Sequence, residues 1–225
     1  MSYTLSSKFM MQKDVPVWQL SINEAKEYYD AHDSAHGFSH VLRVYQLAMQ
    51  IGEEEGANLE IIRPAALLHD VESSMLDKEK RQQHHLLSAD FAGDVLSSHG
   101  WPDLDIQAVQ HCIRAHRYRD ENENPQTLEA QCLFDADKLD SIGAIGAARA
   151  IAVSIEKGLP FYVQPSEQFL QTGQLADGEL HTAYHEYWFK LRHVKDRLLT
   201  ATGRQMAQQR HQTMVGFFEA LKSEM

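Results

Sequence analysis

Thiols, positive charge and long apolar runs are all in short supply in this chain. Its only cysteines are Cys112 and Cys132. They have neither metal-ligand spacing nor a partner framework, which excludes a thiolate zinc site and a disulfide-stapled secreted scaffold; both read as small core residues in a reducing compartment. No stretch approaches the roughly 18 apolar residues needed to cross a bilayer. The N-terminus also lacks the basic stretch, apolar segment and cleavage site of a secretory leader, so a cytoplasmic chain with no membrane partner is expected. Lysine and arginine together number 21 against 32 aspartates and glutamates, giving a formal charge of -11. Gripping a nucleic-acid polymer requires clustered cations, so that partner is excluded. A small phosphorylated substrate remains compatible, because a metal ion and a few local cations can supply the charge.

What is present is helical periodicity. The 43% hydrophobic content of the 225 residues suffices to bury a core. Val41, Val44, Leu47, Ala48 and Ile51 recur every three or four residues, which predicts a helix beginning near Phe38. Leu59, Ile62, Ala66 and His69 predict a second, with Gly56 as the preceding break and Pro64 early enough to be tolerated. Further helices are expected at 79–98, 103–116, 126–140 and 142–157. The stretch 158–180 has no clear period and reads as an excursion or flap. Helix then resumes over about 182–223, with Trp188, Leu191, Val194, Leu198, Met206, Met214, Phe217 and Leu221 as packing residues. No linker separates domains. The expectation is one all-α domain over 1–225, with a core at about 20–157, the excursion, and C-terminal helices over about 181–225.

The 13 histidines are many for this length. His181, His185, His193 and His211 lie in the polar C-terminal third and read as incidental. His69 and Asp70 differ, because they close the apolar run Ala65-Ala66-Leu67-Leu68. His40 lies upstream and Asp137 downstream. Each alone has an ordinary reading as a hydrogen-bonded core histidine or a solvated acid. Together they are harder to dismiss, because an uncompensated aspartate beside a leucine run would be costly. Imidazole nitrogen with carboxylate oxygen suits manganese, iron, cobalt, nickel or zinc, and four protein ligands leave open positions for water and substrate.

The phrases Gly37-Phe38-Ser39-His40-Val41, Leu67-Leu68-His69-Asp70-Val71 and Asp135-Ala136-Asp137-Lys138-Leu139-Asp140-Ser141-Ile142-Gly143 resemble the HD superfamily of metal-dependent phosphohydrolases. They are most similar to a bacterial branch, the YedJ- and YpgQ-like proteins, and the likeness extends to Thr202-Gly203-Arg204-Gln205-Met206-Ala207. The resemblance implies an all-α fold in which His40, His69, Asp70 and Asp137 hold one divalent ion, manganese by preference. Asp137 is favoured over Asp135 because the family's last ligand precedes a basic residue and a leucine. It further implies hydrolysis of a nucleotide by metal-activated water, a triphosphate giving a monophosphate and pyrophosphate. Phosphomonoesterase or phosphodiesterase activity is the nearest alternative, and a non-catalytic nucleotide-sensing module is the reading from another class. A homodimer is compatible.

Other residues receive roles by position relative to these motifs. Several nucleotide-acting relatives place an acid three residues after the HD aspartate; here that residue is Ser73. Glu72 is one residue early, about 100° around a helix, and is a candidate general base beside Asp70 and Lys138. Arg81-Gln82-Gln83-His84-His85 and Cys112-Ile113-Arg114-Ala115-His116 resemble the segments that supply further histidines in two-metal relatives, so His85 and His116 are candidates for a second ion bridged by Asp70, or for phosphate binding. His36, Arg43, Arg114, Lys138 and Asp140 are candidate substrate-binding residues. The pair Gly143 and Gly146 reads as a means of close helix packing, since no strand precedes it to form a phosphate cradle.

Overall fold

In the computed structural model, residues 18–29, 37–73, 83–117 and 123–225 are described. They contain no strand. The α-helices are α1 (Ile22–Lys26), α2 (Phe38–Glu55), α3 (Leu59–Leu68), α4 (His84–Ser98), α5 (Asp103–Ala115), α6 (Leu128–Asp140), α7 (Gly143–Glu156), α8 (Glu167–Thr172), α9 (Ala183–Phe189) and α10 (Ala201–Ser223). A 3₁₀ helix spans Leu191–Arg197. The class is all-α, as expected. None of these helices is long and apolar enough to cross a membrane.

The predicted stripe of α2 is buried, and α2 packs chiefly on α6 and α3. Gly52 lets α3 approach closely, since a Cβ there would lie 2.5 Å from Ile62 Cδ1. Gly56 ends α2 in the left-handed conformation at φ 76°. Asn58 then starts α3 by accepting a hydrogen bond from Glu60 N–H at 3.1 Å. Ile62, Ala65, Ala66, Leu67 and Leu68 are fully buried, so α3 is a core helix whose C-terminal end is delivered to the protein interior. Cys112 and Cys132 are buried free thiols. Gly146 serves packing: a Cβ there would meet Ser141 O at 2.1 Å and Met214 Cε at 2.8 Å.

Two segments differ from expectation. The excursion contains the short helix α8, started by Ser166 Oγ accepting from Phe169 N–H and ended by Gly173 in the left-handed region. Glu179 ties the excursion together by accepting from the N–H of Ser166 and of Ala176, each at 2.7 Å, and it lies 3.1 Å from His185 Nε2. His185 is therefore fully buried within a polar cluster. The region 182–223 also breaks into three parts, at Lys190 and at Leu198-Leu199-Thr200.

Asp135 explains the second break. This buried carboxylate on α6 accepts from Leu199 N–H at 2.8 Å, Thr200 N–H at 2.8 Å and Thr200 Oγ–H at 2.7 Å. It thereby holds an anion at the start of α10, where the helix dipole favours one. Burial pushes its carboxyl above the ordinary value despite these donors. Asp135→Ala should cost about 3 kcal/mol, since charge-assisted hydrogen bonds are lost and buried amides are left unpaired. Thermal melts should show a Tm lower by roughly 6–12 °C. Gly203→Ala should destabilise as well, because its Cβ would lie 2.2 Å from Asp135 Oδ2.

Candidate metal centre

Four helix ends converge on one point. His40 lies in the first turn of α2. His69 is the C-terminal cap of α3, and Asp70 occupies the turn that follows. Asp137 lies near the end of α6, and His116 caps α5. The start of α4 adds His84.

The hydrogen bonds around these side chains dictate which ring atoms are free. His40 Nδ1–H donates to Asp140 Oδ2 at 2.8 Å, which leaves the Nε2 lone pair facing Asp70 Oδ2 at 3.7 Å and Asp137 Oδ1 at 3.6 Å. His69 Nδ1–H donates to Ala66 O at 2.9 Å. Its Nε2, fully buried, has no hydrogen-bond partner and lies 3.8 Å from Asp70 Oδ2. Donor atoms of His40, His69 and Asp137 fall within 4.8 Å of one another. The cluster thus gathers imidazole nitrogens and carboxylate oxygens in one place, an arrangement that a cation satisfies. A divalent ion fits these residues.

Asp70 presents its other oxygen to a second group. Oδ1 is 3.1 Å from His84 Nε2 and 3.6 Å from His116 Nε2. His116 Nδ1–H donates to Ile113 O at 2.6 Å, which leaves its Nε2 free. Asp70, His84 and His116 form a second set able to hold a metal.

Electrostatics favour the ligand forms of these groups except at His40, where burial favours the neutral ring but Asp140, Asp137 and Asp70 outweigh it and raise the imidazole above its ordinary value. Burial pushes the Asp70 carboxyl upward, but the neighbouring His69, His84 and His116 outweigh it and hold it well below the usual range. Burial opposes ionisation of Asp137 and Asp140 too. Lys138 and nearby imidazoles lower the first, and His40 with Arg43 lower the second. Burial lowers His69, and it brings His116 down to about 3, so both imidazoles are neutral near pH 7.

The other predicted residues sort by what they touch. Asp140, fully buried, faces away from open space: besides His40 it accepts from Arg43 Nε at 2.6 Å and Arg149 at 3.0 Å. Arg43 is thus committed to Asp140. Arg114 pairs with Glu123 at 2.6 Å and is committed there. Lys138 Nζ donates to Asp137 Oδ2 at 2.7 Å and to His116 O at 3.2 Å, so it lies beside the centre. Glu72 is half-buried, its N–H held by Ser88 Oγ at 3.2 Å. His85 is buried and outside both ligand sets, its Nδ1 unpartnered. The adjacent His84 takes the place beside Asp70, because neighbouring helix residues point about 100° apart. His36 lies outside the described residues. Sequence reasoning missed His84 and Arg149. The His84-His85 pair marked the position without the helix phase that chooses between them, and nothing in the spacing singles out Arg149.

Comparison with known proteins agrees with this geometry. Residues 37–142 match the HD domain model. The uncharacterized protein YpgQ of Bacillus subtilis is 34% identical over 194 residues, covering 85% of each chain. Its crystal structure in complex with ADP superposes with a TM-score of 0.70 at 30% identity, covering 91% of this chain and 98% of that one. An HD-superfamily hydrolase from Bacillus thuringiensis superposes with a TM-score of 0.64 at 27% identity, covering 90% of this chain and 92% of the other. Family model, sequence and fold agree: the chain belongs to the HD-domain family.

Proposed function

We propose that this protein is a metal-dependent phosphohydrolase acting on a nucleotide, with a nucleoside triphosphate cleaved to a monophosphate and pyrophosphate. The observation that carries the reading is the convergence of the His40 and His69 imidazoles with the Asp70 and Asp137 carboxylates on one point. The complex of the related B. subtilis protein with ADP supports a nucleotide ligand. A divalent ion bound there supplies Lewis acidity toward a phosphoryl oxygen and lowers the pKa of a coordinated water.

The chain's own residues supply position and charge. Asp140 holds the His40 ring in the tautomer that presents Nε2, and the Ala66 carbonyl does the same for His69. Lys138, beside Asp137, is the cation available to a phosphate oxygen. Glu72 is the nearest acid in sequence to Asp70 and serves as the candidate for orienting water. A two-ion reading is favoured by one specific feature, the placement of Asp70 Oδ2 toward His40 and His69 and of Oδ1 toward His84 and His116. In that reading His40, His69 and Asp137 would hold one ion and Asp70, His84 and His116 the other, with His84 in place of His85.

A screen of manganese-loaded protein against nucleoside tri-, di- and monophosphates, with phosphate and pyrophosphate quantified separately, tests the reaction. Pyrophosphate released from triphosphates is expected. Phosphate released only from monophosphates would replace the reading with a phosphomonoesterase, and tight binding without turnover would replace it with a sensor. Asp70→Ala should remove metal and activity while leaving a folded protein. Metal analysis of the wild type and of His84→Ala decides the ion count: two equivalents falling to one support the two-ion reading, and one equivalent in both excludes it.

Asp140→Asn isolates the supporting hydrogen bond. The variant keeps the shape and removes the charge that orders His40, Arg43 and Arg149, so metal affinity should fall about 10- to 100-fold. Metal at 100 times its dissociation constant stabilises the wild type by about 2.7 kcal/mol, so chelation should lower its Tm by roughly 5–10 °C. A smaller chelation effect in Asp140→Asn is the expected outcome. An unchanged one would show that the carboxylate does not act through His40.

A further inference from the structure

A cleft of about 280 Å³ lies between α7 and α9, and the metal centre does not use it. Its walls carry Arg149 from α7, Lys157 at the C-terminal cap of α7 and Lys190 at the C-terminal cap of α9, with Glu186 one turn before Lys190 and with His181 and the hydroxyl-bearing Ser154 among the lining residues. Three permanent cations thus face one carboxylate, in a chain whose acids outnumber its bases by 32 to 21. Glu186 is already shared, 2.7 Å from Lys190 Nζ and 3.8 Å from His181 Nε2. Such concentrations of one sign focus a field on the space between them.

We propose that the cleft between α7 and α9 is a second ligand site, taking a small phosphorylated molecule through Arg149, Lys157 and Lys190. The volume is at the low end for small-molecule pockets, which span about 300–1,000 Å³, so it suits a phosphate ester of modest size and not a polymer. Arginine fits phosphate with its planar fork while lysines add point charges. Ala150 and Val153 give the cleft an apolar side for the organic part of such a ligand. The site is separate from the metal centre and also linked to it. Arg149 donates one N–H to Asp140 Oδ2 at 3.0 Å, and Asp140 in turn holds His40. The ligand would therefore sit on the far side of the carboxylate that orders His40, and its occupancy does not require a metal.

Equilibrium dialysis of the full-length protein with radiolabelled inorganic phosphate tests this, with and without EDTA. The expected result is about one equivalent bound in EDTA and one more when metal is loaded. Lys157 and Lys190 are exposed, so Lys157→Ala/Lys190→Ala should fold as the wild type does, checked by circular dichroism. That variant should weaken phosphate binding in EDTA at least tenfold, while Lys157→Arg/Lys190→Arg restores it. Loss of all phosphate binding in EDTA would place the ligand at the metal centre and overturn the proposal. Binding in EDTA that the double alanine variant leaves unchanged would overturn it as well. If the phosphohydrolase reading fails while EDTA-resistant binding persists, this site stands on its own.

Discussion

The carboxylate of Asp140 is the constraint on which the site depends. It is fully buried at the end of α6 and receives the His40 ring and the Arg43 guanidinium from α2 and the Arg149 guanidinium from α7. A buried carboxylate is tolerable only when its lone pairs are filled. Here the filling donors come from two other helices, α2 and α7, so the need to satisfy one anion on α6 aligns all three. The same contact selects the His40 tautomer, so tertiary packing and ligand chemistry are decided by one hydrogen bond.

Helix α6 shows how a single element serves both purposes. Asp137 and Asp140 are three residues apart, about 300° or equivalently about 60° around the helix, and both face the α2 side. Asp135 precedes Asp137 by two residues, about 160° away, and faces α10. One face of α6 therefore supplies the ligand and its support, and the opposite face anchors the C-terminal helix through Leu199 and Thr200. Three aspartates stand within six positions, and in the sequence only motif position sets Asp137 apart from Asp135. Their roles differ because the helix turns them toward different neighbours.

The fold class and the positions of most helices were legible because they rest on local periodicity: the apolar stripes of α2 and α3 were readable residue by residue. The path of 182–223 was not, because its breaks follow from a long-range contact, Asp135 with Leu199 and Thr200, that no local pattern announces. The same distinction holds at the site. His40, His69, Asp70 and Asp137 stand at motif positions and come together. Arg43 and Arg114 read as cations available to phosphate, yet each is engaged by a carboxylate that its own helix does not supply, Asp140 and Glu123. Choosing His84 over His85 required the phase of α4, which the adjacent pair of histidines does not reveal.

These partnerships also show how an acidic chain could hold a centre for the proposed phosphate chemistry. The arginines nearest the centre neutralise the buried support and not the substrate, since Arg43 and Arg149 both serve Asp140. Lys138 is the cation beside the ligands, and it is itself paired with Asp137. Under the proposed function, a phosphate arriving there would meet mainly carboxylates and imidazoles, so its recognition would depend on the metal, through local charge placement that the net charge does not disclose.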